Sequence, residues 1–490
     1  MAERPLCILQ VNTMDVAGGA EKVACNLLHE YRRRGHDAWL AVGHKRSDDP
    51  HVSEIRQGDP RGGWRRFWSH VQARLQSPAV RVPGAGWLAR LARAVGRPRR
   101  ILDAHRGFED FGFPETWFLL GLTPRPPDIL HCHNLHGSYF DLRALPWLAQ
   151  QVPVFLTLHD AWLLSGHCAH SSECDRWTTG CGDCPDLSVY PSIRRDATAY
   201  NWRRKQAIYA QSHLYVATPS RWLMRKVERS ILKVALAEAR VIPNGVDLAS
   251  FHPADRRRAR AVLNIPQDAR MLLFAANGIR QNPWKDYRTL RSAIALVAEH
   301  LCGQHIIFVA LGDDAPPETI GRAEVRFVPY QKDSSTVARY YQAADLYTHA
   351  AITDTFPNTV LEALACGSPI VATAVGGVVE QIKGLRIPDT PSQDPALNTC
   401  LIEEATGLLV PARDADSMAA GIEWLLRNES VRAQLGANAA RDARDRFDLQ
   451  RQAEQYLAWY QNISDDWCTQ QSMHQSAAMQ RGLDALPDRK

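Results

Sequence analysis

The sequence predicts an α/β protein made of two Rossmann-like, doubly wound domains, and three observations predict it. A strand–glycine loop–helix–strand unit opens the chain. A second series of short apolar runs, alternating with helical segments, begins near residue 270. The length of 490 residues exceeds what one hydrophobic core usually carries. The composition, 45% apolar and 23% charged, is that of an ordinary globular protein.

Leu6–Val11 is short and apolar, the pattern of a buried parallel strand. Asn12 to Ala20 is a loop carrying Gly18-Gly19. Glu21–Arg34 sets Val23, Ala24, Leu27, Leu28 and Tyr31 on one helical face. Gly35-His36 ends that helix and Ala38–Val42 is the next strand. Asp128–His131, Val154–His159, Leu214–Thr218 and Arg240–Ile242 continue the first series. Met271–Ala276, His305–Leu311, Val325–Phe327, Leu346–Thr348, Ile370–Ala374 and Gly407–Val410 form the second. Pro243, Asn244-Gly245 and Pro253 punctuate the chain between them. The expected division is therefore 1–245 for the first domain, with a basic insert at about 50–125 and a cysteine-rich loop at 166–186. The second domain is expected over 246–448, then a helix over 449–463 and a polar, poorly ordered tail over 464–490.

Met1–Pro5 leads straight into the first strand, without the charged start and cleavage site of a signal peptide. No apolar run approaches the ~20 residues that span a bilayer. The expected location is the cytoplasm, where eleven cysteines stay reduced or bind metal rather than pair. The net charge of +5 is unevenly placed: residues 56–106 hold twelve Arg, no Lys and two Asp. Phe67, Trp68, Val71 and Leu75 fall at helical spacing in this stretch, and Trp87–Arg93 repeats the idea. Residues 60–105 are thus either an interfacial anchor on an anionic membrane or helices packed on the domain with a solvated arginine face. No reader motif accompanies the charge, so nucleic acid is not an expected partner.

A loop after the first strand lies at the carboxyl edge of its sheet, where such folds bind ligands. Gly18 and Gly19 let the backbone approach a ligand there, and the helix start behind them offers free N–H groups to a phosphate. Asp354 to Gly367, DTFPNTVLEALACG, repeats this geometry. Pro357 suits the first helical turn, where the Thr359 and Val360 N–H groups lack intrahelical partners. Asp354 on the loop and Glu362 on the helix stand two turns apart. A diphosphate resting on the helix start would leave each carboxylate a hydroxylated group to bind. Taken alone, the same residues also describe a solvated loop acid and a helix-surface Glu.

TDTFPNTVLEALACGSPIVATAVGGVVEQI resembles the E-x7-E segment of the retaining glycosyltransferases of family 4, which have the two-domain GT-B fold. VNTMDVAGGAEKVACNLLHEYRRRGHDAWLAVG and VIPNGVDLASFHP are similar to that family's opening unit and to the end of its N-terminal domain. HCHNLHGSYF and LTLHDAWLLSGHCAHSSECDRWTTGCGDCP resemble a subgroup of the colanic-acid type, which builds extracellular polysaccharides. The resemblance covers residues 6–460 except roughly 50–125. It implies two domains facing a cleft, with the C-terminal helix returning to the first domain.

It also implies roles. Glu362 would bind the ribose of a nucleotide sugar, Asp354 the donor sugar, and Thr359 and Val360 the diphosphate, beside Pro357 and Asn358. Lys285 would neutralise the leaving phosphate. Gly18 and Gly19 would close from the other domain, and His159 would stand near the reacting carbon. The first acid is Asp where the family has Glu. Ile279 occupies a place where members often carry Arg, so either Arg280 substitutes in the donor site or the subgroup uses one cation fewer. The implied reaction transfers a sugar with retention to a glycan or lipid-linked acceptor in surface polysaccharide assembly, and needs no catalytic cofactor. The expected location stays cytoplasmic, and on the anchor reading of residues 60–105 it is peripheral on the inner face of the plasma membrane. A sugar-nucleotide epimerase of the same fold and a non-catalytic nucleotide-sugar scaffold are the alternatives.

Two clusters remain. Cys168, Cys174, Cys181 and Cys184 have C-x5-C-x6-C-x2-C spacing, with His167 and His170 nearby. The spacing fits a structural zinc site, reduced thiols packed in a loop, or a disulfide formed on isolation. His133, Asn134 and His136 follow a strand; alternation puts His131 and His133 on one face, and acceptor contacts are expected of His133, Asn134 and His136 rather than a metal.

Overall fold

The computed structural model describes residues 4–16, 18–55, 98–386 and 399–484, with side chains to residue 469, and a few positions between 67 and 95. Most of residues 60–105, the arginine-rich part of the insert, lie outside the described residues.

Seven parallel strands form the first sheet: β1 (Cys7–Met14), β2 (Asp37–His44), β3 (Val52–Glu54), β4 (Ile129–Cys132), β5 (Val154–Thr157), β6 (Leu214–Thr218) and β7 (Leu236–Val241). Their order is β3-β2-β1-β4-β5-β6-β7. The second sheet has nine: β8 (Arg270–Ala275), β9 (Ile306–Leu311), β10 (Glu318–Ile320), β11 (Ala323–Val328), β12 (Leu346–His349), β13 (Ile370–Thr373), β14 (Gly384–Leu385), β15 (Thr399–Cys400) and β16 (Gly407–Val410). Its order is β10-β11-β9-β8-β12-β13-β16-β14-β15, antiparallel only between β10 and β11. In both sheets the chain starts centrally, winds to one edge and returns to the other side. The doubly wound class predicted from the sequence is therefore present twice, and each reversal point opens a crevice at the carboxyl ends of the strands.

Period-two alternation sends neighbouring residues to opposite faces. Leu9 and Val11 join one core layer and Leu6 and Ile8 the other. Met271 and Leu273 likewise separate from Leu272 and Phe274. Helices cover both faces, which is why the strands read as unbroken apolar runs.

The helix Leu449–Asp484 returns to the first domain. Tyr456, Trp459 and Tyr460 are fully buried against Ile8, Tyr31 and Phe155, each worth roughly 1.5–3 kcal/mol by area. Ser464 is still buried, so the helix runs past residue 463, where the sequence stops it. The two segments linking the domains lie side by side: Val246 N–H donates to Phe447 O at 2.7 Å and Leu449 N–H to Val246 O at 3.1 Å. A Cβ on Gly245 would meet Leu449 Cα at 2.4 Å, so this close approach requires glycine.

Candidate functional site

A cavity of about 380 Å³ opens between the two sheets. Gly18, Gly19, Ala20 and His159 line it from the first domain. Asn277, Asn282, Lys285 and Asp354 to Thr359 line it from the second. Residues 340 positions apart in sequence thus share one cleft.

The acid loop is held by glycine. Gly376 has a φ of +53°, and a Cβ there would meet Asp354 O at 1.9 Å. Gly377 N–H donates to the same oxygen at 3.1 Å. Lys285 is brought alongside by backbone pairing: Asp286 N–H donates to Ala350 O at 3.1 Å and Ile352 N–H to Trp284 O at 2.9 Å. Lys285 Nζ consequently donates to Asp354 Oδ2, and His349 Nε2 lies 3.4 Å from that oxygen. Burial would raise the Asp354 carboxyl, but the Lys285 ammonium and His349 overturn this and hold it well below the usual carboxylate range.

The helix Asn358–Ala365 points its start into the cavity. Pro357 is its N-cap residue rather than part of its first turn. The Val360 N–H, expected to be open, donates to Pro357 O at 3.2 Å, and Val360 itself is fully buried. Asn358 and Thr359 carry the open N–H groups of the turn. Thr355 Oγ1 is buried without a hydrogen-bond partner among the described residues. Asn244, from the segment joining the domains, donates to Asn358 Oδ1 at 3.1 Å. Asn358 Nδ2 donates to Gly19 O at 3.0 Å. This chain of contacts ties the linker, the helix start and the glycine loop together. Glu362 lies deeper: it accepts from Lys22 Nζ at 2.6 Å and from Tyr341 OH at 2.9 Å. Lys22, Tyr341 and His349 were not singled out in the sequence, and Asn244 only as part of the linker. Their polarity marks them, but only the fold shows what they face.

Arg280 does not enter the cavity. Asp313 captures it, with Nε at 3.1 Å, over the Phe327 ring, so it does not replace the cation missing at Ile279. His133 is buried, not offered to an acceptor: its ring nitrogens meet Gln10 Oε1 at 2.9 Å and His159 Nε2 at 3.0 Å. Asn134 bonds through its backbone to Asn12, Thr13 and Tyr139. His136 pairs with Asp160 at 2.8 Å; burial would lower it, but Asp160 raises it overall.

Among the described residues no group of three or more His, Cys, Asp or Glu is gathered to hold a metal. Cys181 Sγ accepts from Gly166 N–H at 3.3 Å, while Cys184 Sγ meets His167 Nε2 at 3.4 Å. All four thiols are unpaired as disulfides, and burial pushes Cys181 up to about 12. Their loop instead walls a second cavity of about 790 Å³, with His170, Tyr190, Trp222, Trp284 and Thr353 around it. Trp284 and Thr353 directly precede Lys285 and Asp354, so the two cavities meet at that ion pair.

Two family models match the chain: Glycosyltransferase Family 4 over residues 17–250 and Glycosyl transferases group 1 over 269–428. A D-inositol 3-phosphate glycosyltransferase of Actinosynnema mirum is 32% identical over 244 residues, covering 47% of this chain and 53% of the relative. The putative colanic acid biosynthesis glycosyl transferase WcaC of Escherichia coli is 24% identical over 261 residues, 50% of this chain and 60% of the relative. The chain spans about half the length of the curated relatives it matches. The crystal structure of Anabaena Alr3699/HepE in complex with UDP and glucose superposes with a TM-score of 0.56 at 16% identity, over 92% of this chain and 98% of that one. Two doubly wound sheets facing a cleft, each inside a matched family segment, identify the chain as a member of the group 1/family 4 glycosyltransferases, with the GT-B fold.

Proposed function

We propose that the protein transfers a sugar from a nucleoside diphosphate sugar to a glycan hydroxyl, with retention of configuration. The observation that carries this reading is the Lys285–Asp354 pair at the meeting point of the two cavities, beside an open helix turn and the opposing glycine loop. The donor occupies the smaller cavity. Its diphosphate lies on the Asn358 and Thr359 N–H groups, Glu362 takes the ribose, and Asp354 takes sugar hydroxyls. As the C1–O bond to the diphosphate breaks, negative charge grows on the leaving oxygen, and Lys285 and the helix start stabilise it. The acceptor oxygen bonds to C1 from the same face while its proton passes to the leaving phosphate oxygen, so no protein base is required. Complexes of the Anabaena protein with UDP and UDP-glucose support this donor class.

The larger cavity receives the acceptor. Tyr190, Trp222 and Trp284 give it aromatic walls suited to sugar rings. The WcaC likeness supports a role in surface polysaccharide assembly, and with it a lipid-linked acceptor. Exposed Phe67, Trp87 and Leu88 in the arginine-rich region support attachment to an anionic membrane. Among the described residues no helix is long and apolar enough to cross one. Transfer from candidate sugar nucleotides, with the product anomer read by NMR, tests the reaction; an inverted anomer would contradict it. Flotation with anionic vesicles tests the attachment, and flotation unchanged by deleting residues 60–105 would contradict it.

A further inference from the structure

His159 is the first domain's ring in the donor cavity, and its hydrogen-bond polarity is determined from behind. Gln10 is fully buried on β1. Its Nε2 donates to Ala24 O at 3.1 Å, in the opening helix. That carbonyl can only accept, so the amide oxygen of Gln10 must face the other way, toward His133 Nε2 at 2.9 Å. His133 Nε2 therefore carries a proton and donates it. His133 Nδ1 faces His159 Nε2 at 3.0 Å. A neutral His133 has one proton, already placed on Nε2, so its Nδ1 accepts and His159 Nε2 donates. The remaining nitrogen, His159 Nδ1, makes no hydrogen bond among the described residues.

No neighbour offers a different assignment. His131 stacks on His133 with ring centroids 4.2 Å apart, but both of its nitrogens are engaged, by Thr157 Oγ1 at 2.7 Å and Tyr460 OH at 2.6 Å. Asp160, the carboxylate whose charge acts on His159, is paired with His136. Burial keeps both rings of the relay neutral near pH 7, pushing His159 down to about 4 and His133 well below its ordinary value.

We infer that Gln10 and His133 are positioning residues that hold His159 as the neutral Nε2–H tautomer, presenting a hydrogen-bond acceptor at Nδ1. The consequence for substrate rests on the donor-site reading: the group lodged against His159 must offer a hydrogen-bond donor, an O–H or an N–H. A neutral, hydroxylated sugar fits; a sugar carrying a carboxylate there sets oxygen against a lone pair.

The test is long-range ¹⁵N–¹H NMR of the full chain labelled with [¹⁵N]histidine, the His159 and His133 signals being assigned from His159→Ala and His133→Gln spectra. The expected result is Nε2-protonated, Nδ1-bare rings at both positions; a proton on His159 Nδ1 would overturn the inference. Gln10→Glu gives a second arm. Its carboxylate favours doubly protonated His133, whose Nδ1–H would then donate to His159 Nε2 and move that ring's proton to Nδ1. A folded Gln10→Glu protein with an unchanged His159 tautomer also counts against the relay; if it does not fold, the wild-type spectrum decides alone. UDP-glucose tests the consequence in the same spectra. When it binds, the bare His159 Nδ1 signal is expected to move upfield as that nitrogen accepts a hydrogen bond, and an unmoved signal with UDP-glucose bound would contradict it. Failure of UDP-glucose to bind would count against the donor reading, while the tautomer is decided by the ligand-free spectrum.

Discussion

Lys22 Nζ, in the first domain, lies 2.6 Å from Oε1 of Glu362, in the second. The ammonium also sits 4.7 Å from the centre of the Phe251 ring, and Asn358 bonds Gly19 close by. The carboxylate assigned to the ribose is thus occupied by a cation from across the cleft. On the proposed donor reading a ribose would compete with Lys22 for that carboxylate, coupling ligand binding to domain closure through one residue. Partly exposed pairs of this kind are worth about 1 kcal/mol or less. Lys22→Met is therefore expected to leave folding intact and to increase the open form of the ligand-free protein. Small-angle scattering should show a larger radius of gyration than wild type; an identical profile would remove the latch role.

Lys285 and Asp354 are mutually dependent. Lys285→Met leaves a carboxylate without its main cation, costing roughly 3 kcal/mol, while the Lys285→Met/Asp354→Asn double variant regains most of it. Both should lose transfer by ~100-fold or more. Denaturant titration separates the stability effect from the kinetic one.

Lys205 is fully buried, with Nζ 3.1 Å from Glu109 and 2.8 Å from Trp162 O. Burial pushes the lysine down and the glutamate up, each countered by the other. Lys205 also holds Ser165 O at 3.0 Å, at the root of the cysteine-rich loop. Lys205→Met is expected to destabilise by roughly 3–5 kcal/mol, and Lys205→Met/Glu109→Gln to recover a large part, because Gln still accepts from Trp162. Urea midpoints check both.

The buried histidines predict an acid limit. Burial lowers His131 to about 3 and His159 to about 4, and His133 well below its ordinary value. The folded state binds fewer protons than the unfolded, so stability is present above pH ~6.5 and lost as pH falls toward the folded values, at up to ~1.4 kcal/mol per unit for each ring. His136 has the opposite sign, since Asp160 raises it: its contribution is present at lower pH and lost as pH rises through its folded value. Urea unfolding at pH 7, 6 and 5 should show the decline, and His131→Gln should make it shallower.

Both sheets were legible because their strands are continuous apolar runs. The strands the sequence did not show are β3, β10, β14 and β15, edge or near-edge pieces of two or three residues too short to carry a pattern. Gly18, Gly19, Asp354 and Glu362 were singled out from loop and helix-start geometry, Lys285 and His159 only through the family resemblance; Gly18, Gly19, His159, Lys285 and Asp354 line one cavity, and Glu362 lies deeper. Lys22 was not singled out, because its partner lies on the other domain. Arg280 misled because Asp313, the residue that captures it, gives no local signal. The cysteine spacing left zinc, packed reduced thiols and a disulfide open; in the structure none of the four thiols is paired as a disulfide, Cys181 accepts from Gly166 N–H and Cys184 meets His167.

The most direct test of the donor site is thermal stabilisation by a panel of UDP-, GDP- and other nucleotide sugars, wild type against Glu362→Ala. The account predicts a rise in Tm with one donor class, lost in the variant. No rise with any donor, or an equal rise in the variant, would contradict the donor site and with it every catalytic role assigned to the cleft.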